Sequence, residues 1–145
     1  MAKKIEVIKD IGFLELLHNS ARFKKLSDGW FRDHFLSRLY GKDFNWSPAS
    51  LEEHITWQEA ELYAKGYGVQ PSDFELSTLI DRSKYNPATI DAAKILGLKT
   101  DDYYWSRTLF AGDSVDAWRV HFKYGYVSDY GTDGIGYVRP VRFDQ

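Results

Sequence analysis

The sequence predicts an α+β domain in which helices pack on an antiparallel sheet. Two capping boxes, Thr56-x-x-Glu59 and Ser72-x-x-Glu75, open amphipathic stretches in the middle of the chain. After Gly97 the apolar period changes from helical to two, most plainly in Trp118, Val120, Phe122, Tyr124 and Tyr126. The 145 residues are 43% hydrophobic and 17% aromatic, which is enough for one cored domain filled largely by rings.

From the N-terminus, "KKIEVIKD" reads as a short strand, and "DIGFLELLHNS" as one or two helical turns capped by Asp10. In "RFKKLSDGWFRDHF", Asp28-Gly29 separates two short runs containing apolar residues. This is a hairpin signal, because Gly accepts positive φ at little steric cost. "YGKDFNWSPAS", broken by Pro48, reads as a loop.

The clearest helix begins at Thr56, whose hydroxyl accepts from the Glu59 amide while the Glu59 side chain reaches back. Trp57, Ala60, Ala64 and Tyr67 form one apolar stripe, and Gly66 and Gly68 end it. A second helix follows Pro71, with Ser72 as cap and Phe74, Leu76, Leu79 and Ile80 as its buried side. "NPATIDAAKILG" reads as a third, shorter helix: Asn86 caps it, Pro87 suits its first position and Gly97 stops it. Beyond it, the even-numbered rings of 118–126 are assigned to the core, and Arg119, His121 and Lys123 to the surface. "YYWSRTLF" and "GYVRPVRF" read as neighbouring strands, with Pro140 where no ladder donor is needed. "SDYGTDGIG" is a loop between them.

Composition narrows the function. With no cysteine there is no disulfide framework, cysteine nucleophile or thiolate metal site. The N-terminal stretch lacks the apolar core of a secretory signal, and no apolar run approaches a membrane span, so a soluble cytoplasmic protein is expected. Residues 1–50 carry 9 Lys and Arg against 6 Asp and Glu, and 51–105 carry 5 against 10. That balance suits neither a basic nucleic-acid binder nor an acidic mimic, and direct nucleic-acid contact is not expected. The basic cluster Arg22, Lys24, Lys25, Arg32, Arg38 and Lys42 is a candidate surface for an acidic partner.

No catalytic set emerges. The four histidines, His18, His34, His54 and His121, are dispersed without metal-ligand spacing. Ser106 in "YWSRT" could meet His121 on a neighbouring strand, but no nucleophile elbow marks it, and its expected role is to satisfy backbone. "GTDGIG" lacks the Lys and following helix of a phosphate cradle. A non-enzymatic protein without metal or cofactor is expected.

The motifs in order resemble the DUF1566 family, also called the Lcl C-terminal domain. They are "RFKKLSDGWFRD", "FNW", "ITWQEAELYAKGYG", "PSDFELSTLIDRSKYNPATID", "YYWSRTLFAGDSVDAWRVHFKYGYVS" and "GYVRPVR", spanning about residues 22–142. The resemblance implies a C-type-lectin-like fold: two main helices packed on a twisted antiparallel sheet, with N- and C-terminal strands near each other. It implies a single domain over 1–145, with 1–21 as an N-terminal extension. Where the family reads Gly-Trp-Arg-Leu-Pro, this chain has Gly68-Val69-Gln70-Pro71.

Lectins of that fold hold calcium with a Gln-Pro-Asp type tripeptide and a later Trp-Asn-Asp. Here "QPSD" is a near miss and the second motif is absent, although Asp129 and Asp133 could supply oxygens. The resemblance also implies that the sheet and its loops carry a ligand surface. The candidate binding residues are Tyr103, Tyr104, Arg107, Arg119 and His121 on the strands. Lys123, Asp129, Tyr130, Asp133 and Arg139 extend the set. Tyr and Arg suit protein contacts, being large, of few rotors or forked, and polar-tipped. A protein-binding module is therefore expected. By analogy it could be a phage- or mobile-element-encoded inhibitor of a host complex such as a CRISPR effector. The alternative is a carbohydrate or glycosaminoglycan binder, with rings stacking on sugars and the 22–42 cluster holding sulfates.

Overall fold

The computed structural model describes residues 11–144. The strand expected in "KKIEVIKD" and the Asp10 cap lie outside these. Helices are α1 (Phe13–Leu16), α2 (His34–Tyr40), α3 (Trp57–Lys65) and α4 (Asp73–Ser77). Strands are β1 (Phe23–Lys25), β2 (Phe31–Asp33), β3 (Asp43–Trp46), β4 (Glu53–Thr56) and β5 (Tyr104–Phe110). They continue as β6 (Asp113–His121), β7 (Tyr126–Gly131), β8 (Ile135–Val138) and β9 (Val141–Asp144).

The fold is α+β, but its strands form two sheets among the described residues, not the one expected. Their orders are β1-β2-β3-β9 and β4-β8-β5-β6-β7. Arg139-Pro140 carries the chain from β8 in one sheet to β9 in the other. A proline suits this step because it has no N–H to leave unpaired, and its carbonyl accepts from the Ser47 amide at 3.0 Å.

The first sheet begins with the hairpin that Asp28-Gly29 signals: β1 and β2 pair antiparallel and Gly29 sits at φ 90. Asp33 then serves three partners. It accepts the Leu36 amide as N-cap of α2, the Trp46 indole N–H at 2.9 Å, and the Arg22 guanidinium in a fork of 3.0 and 2.8 Å. Arg22 and Asp33 are both fully buried, so the basic cluster at 22–42 loses one member to the core. The expected loop at "FNW" is instead β3, the strand between β2 and β9. Phe44, Asn45 and Trp46 are all buried, so both faces of β3 are covered and its sequence does not alternate.

Both capping boxes form, at Thr56/Glu59 and Ser72/Glu75. The second helix is shorter than its apolar stripe suggests, and only α3 among the described helices is as long as nine residues. The third expected helix is a 3₁₀ turn over Asp91–Leu96, preceded by Ile90 and not by Asn86. The amides of Asn86, Ala88 and Ile90 bond to Lys123, Phe122 and Leu79 carbonyls at 2.9, 2.7 and 3.0 Å. A segment whose donors point to neighbours cannot start a helix there.

The second sheet alternates across its two faces. Tyr104, Val120, Phe122 and Tyr137 join Phe44, Trp46, Leu76 and Leu79 in the larger core. Trp105, Ala117 and Val138 face Ala60 and Ala64 of α3 in a smaller one. The expected strand over 118–126 is two strands. β6 ends at His121, Gly125 turns the chain at φ 78, and β7 begins at Tyr126. Val120 and Phe122 are core as expected, whereas Trp118 is half-buried and Tyr124 and Tyr126 are exposed. The reversal restarts the alternation with His121 opposite Tyr126, so Tyr126 shares the face of His121 and not that of Phe122.

Candidate functional site

Helix α3 covers only part of its sheet face. Register pairs Trp105 with Arg119, Arg119 with Ser128, Ala117 with Tyr130 and His121 with Tyr126, so these residues share that face. Trp105 and Ala117 lie under the helix; Arg119, His121, Tyr126 and Tyr130 lie outside its packing cluster. Here the Arg119 guanidinium carbon sits 3.6 Å from the Tyr103 ring centre and 3.8 Å from that of Tyr130, clamped between the two rings. From Tyr103 a row continues: His121 at 4.6 Å, then Tyr124 at 5.7 Å from His121. Tyr124 is stacked by Tyr126 at 5.1 Å and touched by Tyr85 at 5.5 Å. Tyr85, Tyr126 and Tyr130 are 66%, 57% and 48% exposed.

Burial pulls Arg119 below the usual guanidinium value, although such a group stays charged at neutral pH. The rings occupy its faces, and among the described residues it makes neither hydrogen bond nor ion pair. Its Nε is buried without an acceptor. Burial likewise lowers His121 below the ordinary imidazole value. His121 Nδ1 accepts the Lys123 amide at 3.2 Å, so in the neutral ring Nε2 carries the proton. The face is thus a ring-lined surface whose free polar groups are mostly donors.

The structure therefore gathers Tyr103, Arg119, His121, Lys123 and Tyr130. Lys123 lies in the turn, its Nζ 5.3 Å from the Tyr124 ring centre. Tyr104 and Arg139 are corrections: both are fully buried and neither can meet a partner. Tyr104 donates to Glu52 and accepts the Lys99 amide at 2.8 Å. Arg139 pairs with the equally buried Glu52 at 3.0 Å and donates to the Ser47 carbonyl at 2.7 Å and to that of Leu96. It is a strut beside the step between sheets. Arg107 is one-third exposed but forked onto buried Glu75 at 2.9 and 3.0 Å. Asp129 stands opposite Trp118 and so faces away from Tyr130. Asp133 lies exposed in the turn after β7. Sequence reasoning missed Tyr85, Tyr124 and Tyr126 as surface. For the last two, the signal was Gly125, which breaks the strand between them.

The remaining candidates are structural. Ser106 is fully buried, and its hydroxyl donates to the Trp118 carbonyl at 2.7 Å. Gln70 of "QPSD" is buried and donates to Glu61 at 2.7 Å. Val69, in the position of the family's Trp, exchanges backbone bonds of 2.9 and 2.8 Å with Val141. Among the described residues no group of three or more His, Asp or Glu could hold a metal, and no helix is long and apolar enough to cross a membrane.

The sequence model of the Lcl C-terminal domain matches residues 40–142, a span that holds β3 to β8 and the first two residues of β9. No curated protein matches the chain.

Proposed function

The chain belongs to the Lcl C-terminal domain family, and from that premise we propose that it is a non-enzymatic protein-binding module working in the cytoplasm. Its contact surface is the tyrosine row on the β6–β7 hairpin. One observation carries this: exposed Tyr85, Tyr124, Tyr126 and Tyr130 run together across the Arg119 clamp and His121. Stacked rings on a hairpin give large contact area with little side-chain entropy left to lose. The fold is C-type-lectin-like in this proposal, supported by the pairing of early β3 with the last strand, β9. An inhibitor seated on a host complex such as a CRISPR effector is its narrower form, with the same row as the blocking surface.

The glycosaminoglycan alternative relies on the 22–42 cluster to hold sulfates. Arg22 is buried there, and Arg32 is engaged by Asp43 at 3.2 Å and Asp144 at 3.4 Å. The protein reading is tested by capture from bacterial lysate on immobilised wild type, on Tyr124→Ala/Tyr126→Ala, and on Leu62→Ala, which changes an exposed residue of α3. A stoichiometric protein kept by wild type and the Leu62 variant, and lost by the double variant, supports the proposal. No partner, or equal capture by all three, refutes it.

A further inference from the structure

We propose that Arg119, clamped between Tyr103 and Tyr130, receives a carboxylate carried by an extended acidic peptide that pairs with the open edge of β7. The inference rests on the protein-binding reading of this face and specifies its partner.

The first support is the unfinished coordination of Arg119. Its two π-faces are taken by rings at 3.6 and 3.8 Å, which leaves only the in-plane N–H fork for bonding. Its Nε is buried and has no acceptor. A buried charged donor without an acceptor is costly, and because Nε itself is out of solvent, a ligand meets the Nη edge of the fork and must lie in the guanidinium plane. A carboxylate fits that fork with two parallel N–H···O bonds; two phosphate oxygens can do the same, and it is the strand edge beside the clamp that favours a peptide carboxylate. His121, 4.6 Å from Tyr103, adds an Nε2–H donor to the same face. Asp102, a carboxylate of this chain near these groups, is already held by His54 Nε2 at 2.7 Å.

The second support is the edge of the sheet, where β7 is the last strand. The Thr132 amide donates to the Val115 carbonyl at 2.9 Å, which sets the alternation of the β6–β7 ladder. Tyr130 and Ser128 then bond inward, and the backbone groups of Val127 and Asp129 point outward. Among the described residues nothing bonds to those outward groups. An open edge of this kind is a template for strand addition. A peptide strand placed there alternates its side chains, and one set shares the face of Tyr126 and Tyr130. Arg119 on β6 is two strand spacings away, about 10 Å, which Arg and Glu side chains span by meeting at their tips.

The test is nitrogen-15 NMR of the full chain, following the Arg119 Nε–H during titration with the capped peptide acetyl-Thr-Glu-Thr-Glu-Thr-amide. The expected result is a saturable shift of that signal together with the Val127 and Asp129 amides. The Gln-for-Glu peptide should bind at least tenfold more weakly. Arg119→Gln, checked for native amide dispersion, should lose the preference for Glu, and Arg119→Lys should restore it only in part. Equal binding of the two peptides, no binding by either, or shifts confined to another face would overturn the proposal. So would saturation by glucuronate or inorganic phosphate at lower concentration than the peptide. If Arg119→Gln still captures the lysate protein through the tyrosine row, only the carboxylate assignment falls. Loss of capture by wild type itself removes both.

Discussion

Replacing Arg139 by methionine should cost far more stability than a surface contact residue could. The guanidinium bonds to Glu52, to the Ser47 carbonyl and to the Leu96 carbonyl, and both members of the ion pair are buried. Methionine keeps much of the stem volume but leaves the Glu52 carboxylate without its main countercharge. Removing one partner of a buried pair costs roughly 3–5 kcal/mol. Glu52 keeps the Tyr104 hydroxyl, with Lys99 Nζ 3.9 Å away, so the low end, about 3 kcal/mol, is expected. With a urea slope of about 2 kcal/mol per molar, the unfolding midpoint falls by about 1.5 M. Circular dichroism against urea measures it. The double change Arg139→Met/Glu52→Leu should be less costly than Arg139→Met alone, because no buried charge is left over. A midpoint shift below about 0.5 M, or a double variant less stable than Arg139→Met alone, would refute the strut assignment.

Two further outcomes follow from local geometry. A methyl at Gly68 would stand 2.2 Å from the Val141 carbonyl oxygen, so Gly68→Ala must push β9 off Val69; a loss of at least about 1–3 kcal/mol in the same urea assay is expected, and a neutral result would contradict the close approach. Burial holds His34 and His121 below the ordinary imidazole value of 6.5. Both should therefore titrate by proton NMR with midpoints under 6.5, and the stability they contribute is present above that value and lost as pH falls through their lowered midpoints.

What the sequence shows plainly is what is local. The boxes at Thr56/Glu59 and Ser72/Glu75 and the Asp28-Gly29 turn form as spaced, because each is complete within four residues. Helix α2 was equally local, with Asp33 as cap and Gly41 in the left-handed region at φ 71, but its polar neighbours hid it. Fates decided by distant partners were not legible. Arg22 reads as a surface base until Asp33 and the Thr78 carbonyl surround it, and Arg139 until Glu52 does. "FNW" has no alternation because both faces of β3 are covered. For the site, Arg119, His121 and Lys123 could be named from the period of two, and Tyr130 only from the family resemblance of its segment, which reads as a loop although Tyr130 lies in β7. Tyr124 and Tyr126 could not, because that period was carried through Gly125 where the backbone reverses.

The protein-binding claim is tested most directly by hydroxyl-radical footprinting of the chain alone and in its captured complex, read by mass spectrometry at each tyrosine. Tyr124, Tyr126 and Tyr130 should be protected several-fold on binding, while Tyr67, also exposed but following α3, keeps its free reactivity. Protection of Tyr67 with an unchanged β6–β7 hairpin would contradict it.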